Sequence, residues 1–223
     1  FAKVEKNAYY YRYKLQEKKT MTNYYYSSNP DVEHKEKKWN FELLGNNIHF
    51  TTDNGVFSKN TVDFGTRVLL ETIDANLDLD NKKILDMGCG YGPIGLSIAK
   101  AYPNSQVDMV DVNELALELA KKNAANNNIN NVKIFKSSQY EDINETDYDL
   151  IITNPPIRAG KDVVHGILAG SKQHLNLGGS IVAVIQKKQG APSAIKKLNE
   201  VFENCQTLNK KKGYFILQSE MIK

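Results

Sequence analysis

The chain has 223 residues, 41% hydrophobic and 25% charged, with a net charge of +3 and two cysteines, Cys89 and Cys205, far apart in sequence. That composition fits one globular domain in a reducing cytoplasm and excludes a disulfide-stapled scaffold or a low-complexity tract. No apolar run approaches a membrane span, no signal peptide is visible, and His34, His49, His165 and His174 lack metal-ligand spacing, so neither membrane nor metal is expected.

The charge is unevenly placed. Residues 1–20 hold six Lys/Arg and two Glu, a charge of +4, which leaves 29 − 6 = 23 Lys/Arg and 26 − 2 = 24 Asp/Glu, a charge of −1, for residues 21–223. The first twenty residues, basic and rich in tyrosine, end just before Met21. They are expected to be an upstream or added extension, the alternative being a basic aromatic arm that touches RNA. Residues 21–60 form a cover segment, with Tyr24-Tyr25-Tyr26 followed by a hairpin whose strands Trp39–Leu43 and Ile48–Thr51 flank Gly45-Asn46-Asn47. The turn Gly55-Val56-Phe57-Ser58 follows, and sequence physics alone favours a simple cover over a wall of a ligand site. The domain proper is expected over 61–223. It opens with a helix over 62–76 that puts Val62, Leu69, Ile73 and Leu77 roughly on one face.

Residues 84–96 read as a buried strand, a glycine bend and a helix start. Gly92 suits the N-cap and Pro93 the first helical position. Alternate glycines keep side chains out of a bend whose N–H groups can face a ligand. Two registers compete. Gly90, Gly92 and Gly95 fit a dinucleotide fingerprint, with Asp111 lying 21 residues after Gly90. Asp86, Gly88, Gly90 and Gly92 instead place a carboxylate in the strand end, which repels a pyrophosphate but attracts, directly or through water, an ammonium group.

Strands and helices then alternate. Strands are expected at Gln106–Asp111, Val132–Lys136, Asp149–Thr153 and Ser180–Ile185, the last after a Gly178-Gly179 turn. Helices are expected after the Asn113 cap, over Asp162–Gln173 and over Ser193–Phe202, with the Asn126–Asn131 loop assigned only to turn chemistry. Cys205–Leu208 and Tyr214–Ser219 would close the sheet as an antiparallel pair. The fold class is α/β, a doubly wound and mainly parallel sheet with a C-terminal antiparallel strand and a small N-terminal hairpin and helix cover. Gly88–Gly92, Asp111, Ser137-Ser138 and Asn154–Ile157 all fall just past strand ends, where such sheets hold their ligands. Asp111 can accept two hydrogen bonds from a ribose diol, which serves NAD and S-adenosylmethionine (AdoMet) alike.

Asn154-Pro155-Pro156-Ile157 separates the readings. Its two prolines remove N–H donors, and the pre-proline Asn154 stays extended. The Asn154 side-chain oxygen and the Pro155 carbonyl can grip the two N–H bonds of an exocyclic amine, aim its lone pair and stabilise the charge that develops on nitrogen. An NAD(P)-linked oxidoreductase leaves this tetrapeptide and Asp86 without a task, and a non-catalytic RNA-binding module leaves it unexplained.

With these motifs the chain resembles class I AdoMet-dependent N-methyltransferases of the RsmC-like ribosomal RNA guanine-N2 group, in their compact single-domain form. Asp86–Gly92 is similar to motif I, Asp111 to the acidic residue that binds ribose, and Asn154–Ile157 to the NPP[IF] motif IV. Gly55-Val56-Phe57-Ser58 is similar to the group's GVFS segment, and the tracts Thr153–Lys161 and Val184–Ala194 also match. The resemblance implies AdoMet as methyl donor, S-adenosylhomocysteine as product and Asn154 and Pro155 as catalytic residues. It places Asp86, Gly88, Cys89, Gly90, Gly92, Asp111, Val112, Ser137, Ser138 and Asn154 against the cofactor. Ser137-Ser138 stands where relatives have an acidic residue for the adenine amine. Ile157 replaces the aromatic residue of NPP-type adenine and glutamine methyltransferases, which tilts the target toward guanine N2 of small-subunit ribosomal RNA. Another RNA or a protein amide is the alternative substrate. On the substrate side, Pro156 and Ile157 would cover the base, while Arg158, Lys161, Lys187 and Lys188 would face RNA phosphates. Residues 187–223 carry eight Lys and three Glu, a local +5. Cys89 has no partnered base and is expected to be a small wall residue.

Overall fold

The computed structural model describes residues 34–222. The expected extension over 1–20 and the Tyr24-Tyr25-Tyr26 cluster lie outside the described residues. Strands β1 (Lys37–Leu43) and β2 (Asn46–Thr52) pair antiparallel as a hairpin. The chain continues through α1 (Phe64–Asn76), β3 (Lys83–Met87), α2 (Pro93–Ala101), β4 (Gln106–Asp111) and α3 (Glu114–Asn126). It ends with β5 (Val132–Lys136), β6 (Tyr148–Thr153), α4 (Lys161–Gly170), β7 (Leu175–Gln186), α5 (Ala191–Phe202), β8 (Gln206–Lys211) and β9 (Tyr214–Glu220). A seven-stranded sheet has the order β5-β4-β3-β6-β7-β9-β8, parallel except for β9, which runs antiparallel to both of its neighbours.

Both faces of this sheet are covered, so its central strands are apolar throughout. Alternate residues serve two cores. Ile84, Leu150, Ile152, Val182 and Ile216 join the core under α1, α2, α3 and the hairpin. Leu85, Ile151, Ile181, Ala183 and Leu217 join the core under α4 and α5. Among the described residues no helix is long and apolar enough to cross a membrane.

Several boundaries differ from the sequence reading. Val62 and Leu77 flank α1, because the Asp63 side chain accepts a hydrogen bond from Thr66 N–H and sets the helix start. The α4 helix ends at Gly170, and Ser171–Gln173 forms a separate 3-10 turn. Gly178-Gly179 is a bulge within a twelve-residue β7 rather than a turn before it. Gly178 takes φ +84°, and the bulge is tied to Met221 through Gly178 N–H to Met221 O and Met221 N–H to Gly179 O.

Asn127, in the loop assigned to turn chemistry, does more than turn, and Asn123 of α3 acts with it. Asn123 and Asn127 use their side-chain amides as a substitute strand along β2. Thr51 N–H donates to Asn123 Oδ1 at 2.7 Å, and Asn123 Nδ2 donates to the carbonyls of Thr51 and Tyr91, each at 3.0 Å. His49 N–H donates to Asn127 Oδ1 at 2.9 Å, and Asn127 Nδ2 returns a bond to His49 O at 2.7 Å. The hairpin is thereby fastened to α3 and to the middle of the glycine bend.

Candidate active site

The strand order reverses between β3 and β6, which pair in parallel with Met87 opposite Thr153. Thr153 Oγ1 donates to Met87 O at 2.9 Å. The glycine bend and the Asn-Pro-Pro turn therefore leave adjacent strand ends on the same side of the sheet, at the switch point where open α/β sheets bind ligands. A cavity of about 610 Å³ opens there. Its wall includes residues past four strand ends: Gly88, Cys89 and Gly90; Asp111 and Val112; Ser137 and Ser138; and Asn154 to Arg158.

Gly88, Gly90 and Gly92 take φ values of +78°, +57° and +101°, a region that L side chains rarely adopt. A Cβ at Gly88 or Gly90 would meet nothing within 4 Å and would protrude into open space, whereas one at Gly92 would collide with Leu96 Cδ1 at 2.6 Å. The two upper glycines thus keep a cradle clear, and Gly92 lies under it as the N-cap of α2.

Four N–H groups of the bend are taken up within the protein rather than offered to a ligand, contrary to the sequence reading. Gly88 N–H and Cys89 N–H both donate to Val110 O at 2.9 Å, and Gly92 N–H donates to Cys89 O at 3.0 Å. Gly90 N–H donates to Asp111 Oδ2 at 2.9 Å. The start of α2 is also occupied, because Gly95 N–H donates to Asp86 Oδ2 at 2.8 Å. A carboxylate takes the place that a pyrophosphate would need. The dinucleotide register therefore fails on electrostatics, and the bend serves by shape.

Asp86 lies beneath the bend, fully buried and off the cavity wall, and its Oδ1 has no partner. Burial pushes its pKa up to about 7, the Gly95 N–H opposes that shift, and nearby Asp111 adds to it. Asp111 stands at the cavity edge with Oδ1 accepting from Asn113 N–H at 2.9 Å. Burial raises its pKa, while the N–H groups of Asn113, Gly90 and Val112 pull the other way. Cys89 is a buried wall residue whose thiol burial pushes well above its ordinary range, which disfavours the thiolate. Ser137 is committed to its own turn: its hydroxyl donates to Gln139 O at 2.7 Å and accepts from Asp142 N–H at 3.2 Å. Ser138 is exposed.

At the opposite wall Asn154 Nδ2 donates to Thr66 Oγ1 at 3.0 Å and approaches Asp63 Oδ1 and Oδ2 at 3.4 and 3.5 Å. Pro155 is buried, Pro156 precedes the 3-10 turn Ile157–Ala159, and Arg158 is exposed on the wall. Lys161, Lys187 and Lys188 are exposed but do not line the cavity. The GVFS turn, read from sequence as mere cover, does form a wall: Val56, Phe57 and Ser58 line the cavity, and Phe57 is 55% exposed. Asn113 Nδ2 donates to Gly55 O at 3.0 Å and Tyr91 Oη to Ser58 O at 3.4 Å, which fixes the turn against the glycine bend and the start of α3. Asp63, Thr66, Gln186, Gln189 and Tyr214 also line the cavity and went unread in the sequence. The capping of α1 was the one available sign of Asp63.

These features fit AdoMet: a cradle with no phosphate site, a carboxylate on the cavity wall at the end of β4, an orphaned buried carboxylate oxygen beneath, and a cavity within the roughly 300–1,000 Å³ range of small-molecule sites.

The chain matches the model of the methyltransferase small domain family over residues 47–218. It is 46% identical over 203 residues to the uncharacterized protein YbxB of Bacillus subtilis (strain 168), covering 91% of this chain and 100% of that protein. It is 36% identical over 166 residues to ribosomal RNA small subunit methyltransferase C of Haemophilus influenzae (strain PittGG), covering 73% of this chain but 49% of that protein. Among solved structures it is similar to the T. thermophilus 16S rRNA N2 G1207 methyltransferase (RsmC) in complex with AdoMet and guanosine, with a TM-score of 0.76 and 26% identity over 86% of this chain and 52% of that one. The chain thus spans all of YbxB and about half the length of the methyltransferase C relatives.

Proposed function

Because the chain belongs to the methyltransferase small domain family and is an AdoMet-dependent methyltransferase, we propose that its acceptor is an exocyclic amine of RNA, guanine N2 of small-subunit ribosomal RNA, in the cytoplasm. The observation that carries this reading is the Asn154 amide. Its nitrogen is engaged by Thr66 and Asp63, which leaves its oxygen as the group available at the cavity beside the glycine bend.

AdoMet supplies an electrophilic sulfonium methyl. The protein's part is to present a nucleophile to it. Asn154 Oδ1 and the Pro155 carbonyl accept the two N–H bonds of the target amine, orient its delocalised lone pair and stabilise the positive charge that grows on nitrogen. Neither Pro155 nor Pro156 has an N–H to compete for these acceptors. No strong base is needed before attack, since the proton can leave to water afterwards. Asp86 would supply charge for the methionine ammonium through the bend, Asp111 would accept from the ribose, and Val112 and Ser138 would hold the adenine, Ser138 in place of an acidic residue. Pro156 and Ile157 cover a base that must be unpaired or flipped to enter. Arg158, Lys161, Lys187 and Lys188 hold neighbouring phosphates. The relation to methyltransferase C proteins and the aliphatic Ile157 support guanine N2 over adenine or a protein amide.

Asn154→Ala should leave S-adenosylhomocysteine binding intact and lower turnover by on the order of a hundredfold. Nucleoside mass mapping of ribosomal RNA from a strain lacking the protein should show loss of an N2-methylguanosine, restored by wild type and not by the variant. Loss of a different methylated nucleoside would overturn the guanine assignment.

A further inference from the structure

We infer that Asp63 and Thr66 are positioning residues that fix which end of the Asn154 amide meets the substrate. This rests on the reading of Asn154 as the acceptor for the target amine. A carboxylate can only accept hydrogen bonds. An amide facing the Asp63 carboxylate must therefore turn its NH2 toward it, and the carbonyl oxygen is forced to the other side. The geometry has this form: Asn154 Nδ2 donates to Thr66 Oγ1 at 3.0 Å and lies 3.4 and 3.5 Å from the two Asp63 oxygens, while Oδ1 has no protein partner among the described residues. Free rotation of the amide would leave a donor facing the donor N–H groups of the amine for part of the time. Asp63 removes that unproductive half.

The corner is held from the other side as well. Asp63 is also the N-cap of α1, with Oδ1 accepting from Thr66 N–H at 3.0 Å, so the carboxylate is anchored to the helix that carries Thr66. Gly65 lies between them in the first turn of the helix. A Cβ there would stand 3.1 Å from Asp63 Oδ1 and 2.9 Å from Tyr214 Cε1, a cavity-wall residue. Glycine keeps the corner clear for both side chains. The Asp63 carboxylate is in addition a negative group on the cavity wall, behind the amide that accepts from the nitrogen on which positive charge develops.

The test uses Asp63→Asn, because asparagine caps a helix as well as aspartate does. With Oδ1 of the new side chain retained by the Thr66 N–H, its NH2 takes the place of Oδ2, 3.5 Å from Asn154 Nδ2, so a donor faces a donor and the productive orientation of that amide loses its preference. Turnover on small-subunit ribosomal RNA from a strain lacking the protein should fall by about tenfold or more, with S-adenosylhomocysteine affinity and Tm unchanged. Thr66→Val should lower turnover in the same way and Thr66→Ser should restore it. Asn154→Ala is run in parallel. If Asn154→Ala loses turnover and Asp63→Asn does not, the positioning role is overturned alone. If Asp63→Asn loses cofactor affinity or Tm along with turnover, its role is structural and the inference falls. If Asn154→Ala keeps full turnover, the reading beneath the inference fails.

Discussion

Asp86 Oδ2 accepts the Gly95 N–H at 2.8 Å, which ties the end of β3 to the first turn of α2 directly beneath the glycine bend. The carboxylate complements the positive end of the helix, and its other oxygen has no partner. Burial raises the Asp86 pKa to about 7. The folded state without ligand thus binds a proton that the unfolded chain has released, so this group's contribution to stability declines as pH rises from the ordinary aspartate range to about 7. A ligand's ammonium group placed near Asp86 favours the ionised form. S-adenosylhomocysteine affinity should therefore rise with pH up to and through about 7, and Asp86→Asn should flatten the profile in calorimetric titrations between mildly acid and mildly alkaline buffer. An identical slope in the variant would remove Asp86 from cofactor recognition.

Asp111 joins the glycine bend to α3 by accepting from Gly90 N–H and Asn113 N–H, both at 2.9 Å. Asp111→Ala should weaken S-adenosylhomocysteine binding by about tenfold to a hundredfold, the worth of one hydrogen bond to a charged group. Turnover at saturating AdoMet should change far less. Binding curves and kcat measured on one preparation distinguish this variant from Asn154→Ala, whose defect is the reverse.

Asn123 makes three buried hydrogen bonds, to Thr51 N–H, Thr51 O and Tyr91 O. Asn123→Ala would strand these backbone groups. It should cost on the order of 3 kcal/mol, a fall in Tm of about 6–12 °C. Because the same side chain locks Tyr91 in the bend, cofactor affinity should drop as well. A variant with wild-type Tm would refute the docking role.

Lys187 N–H donates to Gly213 O at 2.8 Å, which sets the Lys187-Lys188 pair beside the β8–β9 turn that carries Lys212. Not all nearby lysines are available: Lys196 and Lys197 pair with Glu200 on α5, and Lys211 with Glu71. Replacing Lys187 and Lys188 by alanine should weaken RNA binding and reduce the slope of log affinity against log salt by about two, roughly one for each phosphate contact. The same exchange at Lys196 and Lys197 should change neither. Equal effects from both pairs would mean a diffuse charge rather than a track.

The order of strands and helices, the bend at Gly88–Gly92 and the turn at Asn154–Ile157 were determined by the sequence itself, because periodicity, glycine and proline act within a few residues of chain. Asn113 as a cap and Asp111 at a strand end were legible for the same reason. Tertiary structure alone decided whether the N–H groups of the bend face a ligand or Val110, whether Gly55–Ser58 is cover or wall, and which lysines already have carboxylate partners. It also gave Asp63 its second partner, Asn154, 91 residues away. Local pattern can announce a donor or an acceptor, but its partner is chosen when the sheet closes and brings distant strand ends within hydrogen-bond reach.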